Sequence, residues 1–299
     1  MFRNVTIFRF PTTLDLDELE QALGTAVLKP VGPLELTSAG FISPFGQSSV
    51  VLAHTVGRVV WTAVGTEKRL LPASVVNETL AARIAAHEKR TGQRVGGKLR
   101  KQLKDDVLTE LIPKAFVQPG RLDVSIDRTH GLLAVDTTSR KAAELAASLV
   151  RKALGSFPAL PLNAETSVCA TMTGWLAGEP MPEAFTLGEE VELRGPDGSD
   201  CWKGARADLS SEEVRGHLDA GKMVYRLGLT YLDRATFTFG DDLVIRKFKL
   251  TDVALDALNG VETDDINGEL DARYTLIAAE LRQLFQALQE VFKFSPVQG

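Results

Sequence analysis

Between residues 98 and 112 the apolar positions Leu99, Leu103, Val107 and Leu111 fall at intervals of four, and the run stops at Pro113. That interval keeps one face of an α-helix apolar, and proline lacks the amide a further turn needs, so a helix over 98–112 is predicted. A preceding helix is predicted over 75–90, where Val76, Leu80 and Ile84 repeat in the same way behind Pro72 and Ser74. Gly92, Gly96 and Gly97 separate the two helices. Nearer the amino terminus, residues 5–10 and 34–41 alternate as strands do, and residues 15–23 read as a short amphipathic helix. SSVVLAHTVGRVVWTAVGTEKRLL reads as a hairpin turning at Val56 and Gly57.

Further along, residues 121–137 alternate on both sides of a five-residue turn over 127–131, which predicts a second hairpin. Thr138 or Ser139 can cap a helix running to Lys152, with Ala142, Leu145, Ala146, Leu149 and Ala153 turned inward. The prolines of FPALPLN impose an extended segment. A short helix ending near Gly178 leads to a hairpin that turns at Pro196, Asp197 and Gly198. Ser210 and Glu213 have the spacing of a capping box for a helix to Ala220, and three strands follow within 222–250. Leu270, Tyr274, Ile277, Leu281, Leu284 and Leu288 then trace the apolar stripe of a long helix over 269–291. The elements describe an α+β chain of several subdomains: an amino-terminal α/β region over 1–72, a basic helical region with a hairpin and helix over 73–165, and a carboxy-terminal α+β region over 166–299. Trp61, inside a strand, is expected in a core.

The charge pattern changes the picture. The chain has 299 residues and a formal net charge of -5, yet residues 83–104 hold eight Lys or Arg and one acidic residue. Residues 1–150 carry 19 cations against 15 acidic residues, and the remainder 15 against 24, so a polyanion is steered toward the first half. Lys101 and Asp105 have the spacing of an intrahelical ion pair. Arg90, Arg94, Lys98, Arg100 and Lys104 have no obvious acidic partner and remain available to phosphates. Phe116, which follows Pro113 and Lys114, either crosses the surface exposed or packs between the helix and the next hairpin. Lys203, Arg206, Lys222 and Arg226 read as solvated positions before anion contacts. Two partners suit the basic helix: nucleic acid, or an acidic protein docked on an interaction scaffold.

Catalytic signatures are missing from the sequence. It has no GxxxxGK[ST] phosphate loop, no GxGxxG, no GxSxG and no HExxH, and His54, His87, His130 and His217 stand alone. Asp264, Asp265, Glu269 and Asp271 precede a helix start without EF-hand spacing, so they read as capping and solvation. Cys169 and Cys201 cannot staple a fold of this size, and no apolar stretch reaches membrane-spanning length, so a cytoplasmic setting is expected. No catalytic residue, metal, cofactor or membrane partner is predicted.

Several stretches resemble one family, the recombination-associated RdgC proteins: FRNVTIFRF at the start, FISPFG at 41–46, KLRKQLKDDVLTELIPKAF, IDRTHGLLAVDTTSRKAAELAASLVRKALGSFPALPL, and DLSSEEVRGHLDAGKMVYRLGLTYLDRATFTFGDDLVIRKFKL. The resemblance spans nearly the whole chain. It implies a nucleoid-associated homodimer of crescent-like subunits closing into a ring around double-stranded DNA, which is bound without sequence specificity. It also implies restraint of RecA-mediated recombination by limiting access to DNA, and leaves open both single-stranded DNA and direct contact with RecA. By motif, Lys98, Arg100, Lys101 and Lys104 would line the hole. Phe116, with Lys114 beside it, would lie near a subunit junction or the DNA. The glycines of GQRVGG depart from the family pattern and put the role of Arg94 in question.

Overall fold

The computed structural model describes residues 2–46, 49–198, 200–206, 208–258 and 266–297, with 266 and 267 described by backbone alone. The first elements are β1 (Thr6–Arg9), α1 (Leu19–Gly24), β2 (Thr37–Ile42), β3 (Ala53–Val56), β4 (Val59–Leu70), α2 (Ala73–Thr91) and α3 (Gly97–Leu111). There follow β5 (Phe116–Asp127), β6 (Leu132–Val135), α4 (Arg140–Leu154), β7 (Leu160–Pro161) and α5 (Val168–Ala177). The last are β8 (Phe185–Arg194), β9 (Cys201–Ala205), α6 (Glu212–Asp219), β10 (Met223–Tyr231), β11 (Ala235–Gly240), β12 (Ile245–Leu250), α7 (Asp252–Leu255) and α8 (Ile266–Phe292).

The elements form two compact units. The larger comprises Met1–Thr25, Ser43–Ala63 and Leu122–Gly299; the smaller comprises Ala26–Ile42 and Val64–Arg121. Neither is a continuous stretch of chain.

The larger unit holds two antiparallel arrangements. In the first, β3 pairs with the start of β4, the end of β5 pairs with β6, β6 with β1, and β1 with β7. The second is a five-stranded sheet in the order β12-β11-β10-β8-β9. Val5 and Ile245 join the two by exchanging backbone bonds of 2.7 and 3.1 Å. Between Leu227 and Leu229 the β8–β10 register shifts, and a Cβ on Gly228 would stand 3.0 Å from the Glu190 backbone. That close approach explains a glycine in mid-strand. One apolar core gathers Trp61, Trp175, Phe237, Ile277, Leu284 and Phe292; of the α8 stripe read from the sequence, Ile277, Leu281, Leu284 and Leu288 are buried in it, whereas Leu270 and Tyr274 are half-buried.

Helix α4 begins as predicted, with the Ser139 hydroxyl accepting from the Ala142 amide at 3.3 Å. Ser139→Ala, measured by urea unfolding, is expected to cost about 1 kcal/mol by orphaning that amide. Helix α6 differs from its predicted start. Its cap position is Ser211 without a side-chain cap bond, while the Ser210 hydroxyl donates to Asp208 Oδ1 at 2.6 Å, so the capping box does not form. Helix α1 starts four residues later than the pattern suggested, because the Asp17 amide donates to Asp15 Oδ1 at 2.9 Å and holds a turn.

The smaller unit contains β2, the end of β4, the start of β5 and the paired helices α2 and α3. The segment before β2 lies against it, with Leu28 donating to the Phe41 carbonyl at 3.0 Å and Phe41 to the Ala26 carbonyl at 2.8 Å. A Cβ on Gly40 would fall 2.4 Å from the Leu28 amide nitrogen, so this crossing requires glycine. Strand β2 starts at Thr37, later than the alternation over 34–41 implied, because Gly32 and Glu35 close a turn at 3.1 Å. Val76, Leu80, Val107 and Ile112 are buried, whereas Leu99, Leu103 and Leu111 are half-buried. The apolar face of α3 is therefore covered most fully around Val107.

Candidate nucleic-acid interface

Helices α2 and α3 pack on each other. Gly92 ends α2 with φ +70°, a left-handed conformation glycine adopts without strain, and its amide donates to the Glu88 carbonyl at 2.8 Å. The Glu88 side chain then accepts from the Val95 amide at 2.9 Å. The single acidic residue of 83–104 thus closes the loop and is not paired with a neighbouring cation.

Arg90 lies in the last turn of α2, Arg94 in the loop, and Lys98, Arg100, Lys101 and Lys104 on α3; all six are exposed. Among the described residues none of the six enters an ion pair. The Lys101–Asp105 pair that the spacing suggested is not made, since both side chains extend into water where such a bond gains little. The first turn of α3 also carries no acidic residue. Cations there face the positive end of the helix dipole, a local repulsion that an arriving anion relieves. Exposed Lys89 adds to the same patch. Its adjacency to Arg90 is the signal in the sequence that places it there.

At the other end of α3 the charges are matched. Arg83 and Lys114 both pair with Glu110, the latter at 2.8 Å. The hydrogen bond from Lys114, followed by the charges of Lys114 and Arg83, holds the Glu110 carboxyl below its ordinary range. Phe116 begins β5 with 84% of its surface exposed, which decides between the two positions the sequence allowed. Val117 beside it is exposed as well.

The scattered cations of the larger unit have a different fate. Glu192 is 5% exposed and accepts from Arg194 at 2.8 Å and Arg226 at 3.0 Å, with Lys203 at 3.5 Å. Burial pushes its carboxyl up, but the Arg194 bond and the charges of Arg226, Arg194 and Lys203 together leave it below the ordinary range. Lys222 is buried and pairs with Asp200 at 2.7 Å, so it is not the solvated position the sequence suggested. Arg206 is exposed.

Two of the four histidines find carboxylate partners among the described residues. His54 meets Asp271 at 2.6 Å and His130 meets Asp127 at 3.1 Å, while Trp61 is 1% exposed in the core. Glu269 pairs with Arg273 at 2.6 Å; Asp264 and Asp265 lie outside the described residues. Among the described residues no group of three or more His, Cys, Asp or Glu is placed to hold a metal ion, and no helix is long and apolar enough to cross a membrane.

Comparison with known proteins gives these features a family. The family model described as "Putative exonuclease, RdgC" matches residues 1–295. The chain belongs to the RdgC family. Among its relatives, the recombination-associated protein RdgC of Xanthomonas campestris pv. campestris (strain B100) is 50% identical over 300 residues, covering 100% of this chain and 99% of the relative. The RdgC of Xanthomonas oryzae pv. oryzae (strain MAFF 311018) is 50% identical over 296 residues, and that of Stenotrophomonas maltophilia (strain R551-3) 48% over 296 residues. Each of these two alignments covers 98% of both chains. The matching RdgC region includes α2, α3 and every cation placed on them.

Proposed function

We propose that this RdgC-family chain binds double-stranded DNA without regard to sequence, using the exposed cations of α2, α3 and the loop between them. The observation that carries the reading is six exposed Lys and Arg side chains on one helical hairpin, none in an ion pair among the described residues, in a protein whose net charge is -5. Flexible cations of this kind meet phosphates, which carry position but no base identity.

The active species is a homodimer that closes around the duplex, with Phe116 at a junction between copies or against the DNA. By occupying the duplex it restrains RecA-mediated recombination, and its place in the cell is the nucleoid, within the cytoplasm. Its role is non-catalytic and needs no cofactor. The relatives' name, recombination-associated protein, supports this direction. Single-stranded DNA offers the same phosphate chemistry and is compared as a competitor.

The test is fluorescence anisotropy with a labelled 40-base-pair random duplex across a salt series, on protein whose solution mass is known. A dimer that binds unrelated sequences alike, ever more weakly as salt rises, supports the reading. No binding at low salt overturns it, and a monomeric mass overturns encirclement. In parallel, end-labelled duplex incubated with the protein and Mg²⁺ is expected to stay intact, and progressive shortening that follows the protein through purification would reinstate an exonuclease.

A further inference from the structure

Within the smaller unit, a groove of about 430 Å³ opens where β2 and β4 meet α2 and α3. Its apolar lining includes Leu36, Leu71 and Leu108, and its charged lining is Lys68, Arg69 and Lys104. Among the described residues no acidic side chain lines it. Leu36 leaves 49% of its surface in water, at the rim of this apolar lining.

Among the described residues the cations of the groove have no acidic partner. The Arg69 guanidinium donates to the carbonyls of Gly32, Pro113 and Ala115 at 3.3–3.4 Å, all neutral acceptors. Its Nε has no acceptor among the described residues. Lys68 and Lys104 are exposed, and neither enters an ion pair among the described residues. Three positive charges around a leucine-lined depression complement a ligand that presents carboxylates and large apolar side chains together. A bare phosphate backbone fills only half of that description, because it leaves the leucines wet.

We infer that this groove docks an acidic, leucine- or phenylalanine-bearing peptide segment of another protein. The docking is separate from the DNA contacts except at Lys104, which serves both surfaces. It gives the chain a route to a protein partner independent of any shared DNA.

The test uses the full chain without nucleic acid, panned against a phage library of random 12-residue peptides, so failure of DNA binding leaves its outcome untouched. Recovered peptides are synthesised with a fluorescein label and titrated by anisotropy. The expected result is enrichment of sequences that intersperse Asp or Glu with Leu or Phe. Their affinity should fall at least tenfold with Leu36→Asp and also with Lys68→Glu, both exposed changes checked for an unaltered melting temperature. Duplex affinity should be unchanged by Leu36→Asp. Failure to enrich an acidic–apolar class overturns the inference, as does binding that ignores both substitutions. A Leu36→Asp chain that falls from dimer to monomer while binding no peptide assigns the groove to a second copy and overturns it equally.

Discussion

Replacing Lys98, Arg100 and Lys104 together by alanine is expected to weaken duplex DNA binding by about 10²–10³-fold at 0.1 M salt. Each neutralised phosphate contributes about -0.9 to the slope of log affinity against log salt, so three lost contacts remove roughly 2.7 log units at 0.1 M. Six contacts across the dimer, half of them made by the substituted residues, give a slope of about -5, and the triple substitution should bring it to between about -2 and -3. The loss should be the same for sequences of different composition, since phosphate contacts carry no base information. All three side chains are exposed, and none enters an ion pair among the described residues, so the fold should survive the change. Affinity and slope both unchanged would remove these residues from the DNA contact.

Arg234→Ala should cost about 3–5 kcal/mol of stability, the cost expected when a buried charge loses its partner. Its partner is Glu280, a residue of α8 only 2% exposed, whose Oε1 accepts from Arg234 Nε at 2.9 Å. Glu280 Oε2 finds no hydrogen-bond partner among the described residues, so Arg234 supplies most of what holds the charge. The carboxylate in turn raises the Arg234 pKa, through that hydrogen bond first. The double variant Arg234→Ala with Glu280→Gln should recover much of the loss, because the amide leaves no charge to bury. Urea unfolding of the two variants checks both statements. A single variant less than about 1 kcal/mol below the parent would mean that the Arg234–Glu280 pair does not hold the fold.

Local signals in the sequence located what local chemistry determines. Four-residue spacing and Pro113 marked α3 within a residue at each end, and the glycines of the connection marked the turn where Gly92 takes its left-handed conformation. The exposed basic hairpin followed from the same stretch, because eight cations with one acid leave few ways to pair. The sequence was less readable wherever a partner comes from far along the chain. Nothing near Lys222 suggests that Asp200 will meet it, and Glu192 gathers Arg226 only once β8 and β10 are side by side. Ser210 had the spacing of a cap, but Asp208 engaged its hydroxyl and the cap position fell to Ser211. The groove beside Lys104 was hidden for the same reason, since Leu36, Lys68 and Leu108 approach only after β2, β4 and α3 assemble.

The division of the chain into interleaved segments constrains its genetics. Ala26–Ile42 and Val64–Arg121 build the smaller unit, and the intervening Ser43–Ala63 belongs to the larger one. A gene fusion or truncation with a single breakpoint therefore cannot transfer one unit whole without carrying a fragment of the other. The smaller unit cannot travel between proteins as a terminal cassette, and its exchange requires two internal junctions, near residues 42 and 64, besides those at its outer ends. Change in this part of the protein is thereby channelled into substitution and into the length of the loop at Gly92–Gly96, whose glycines have open space around them.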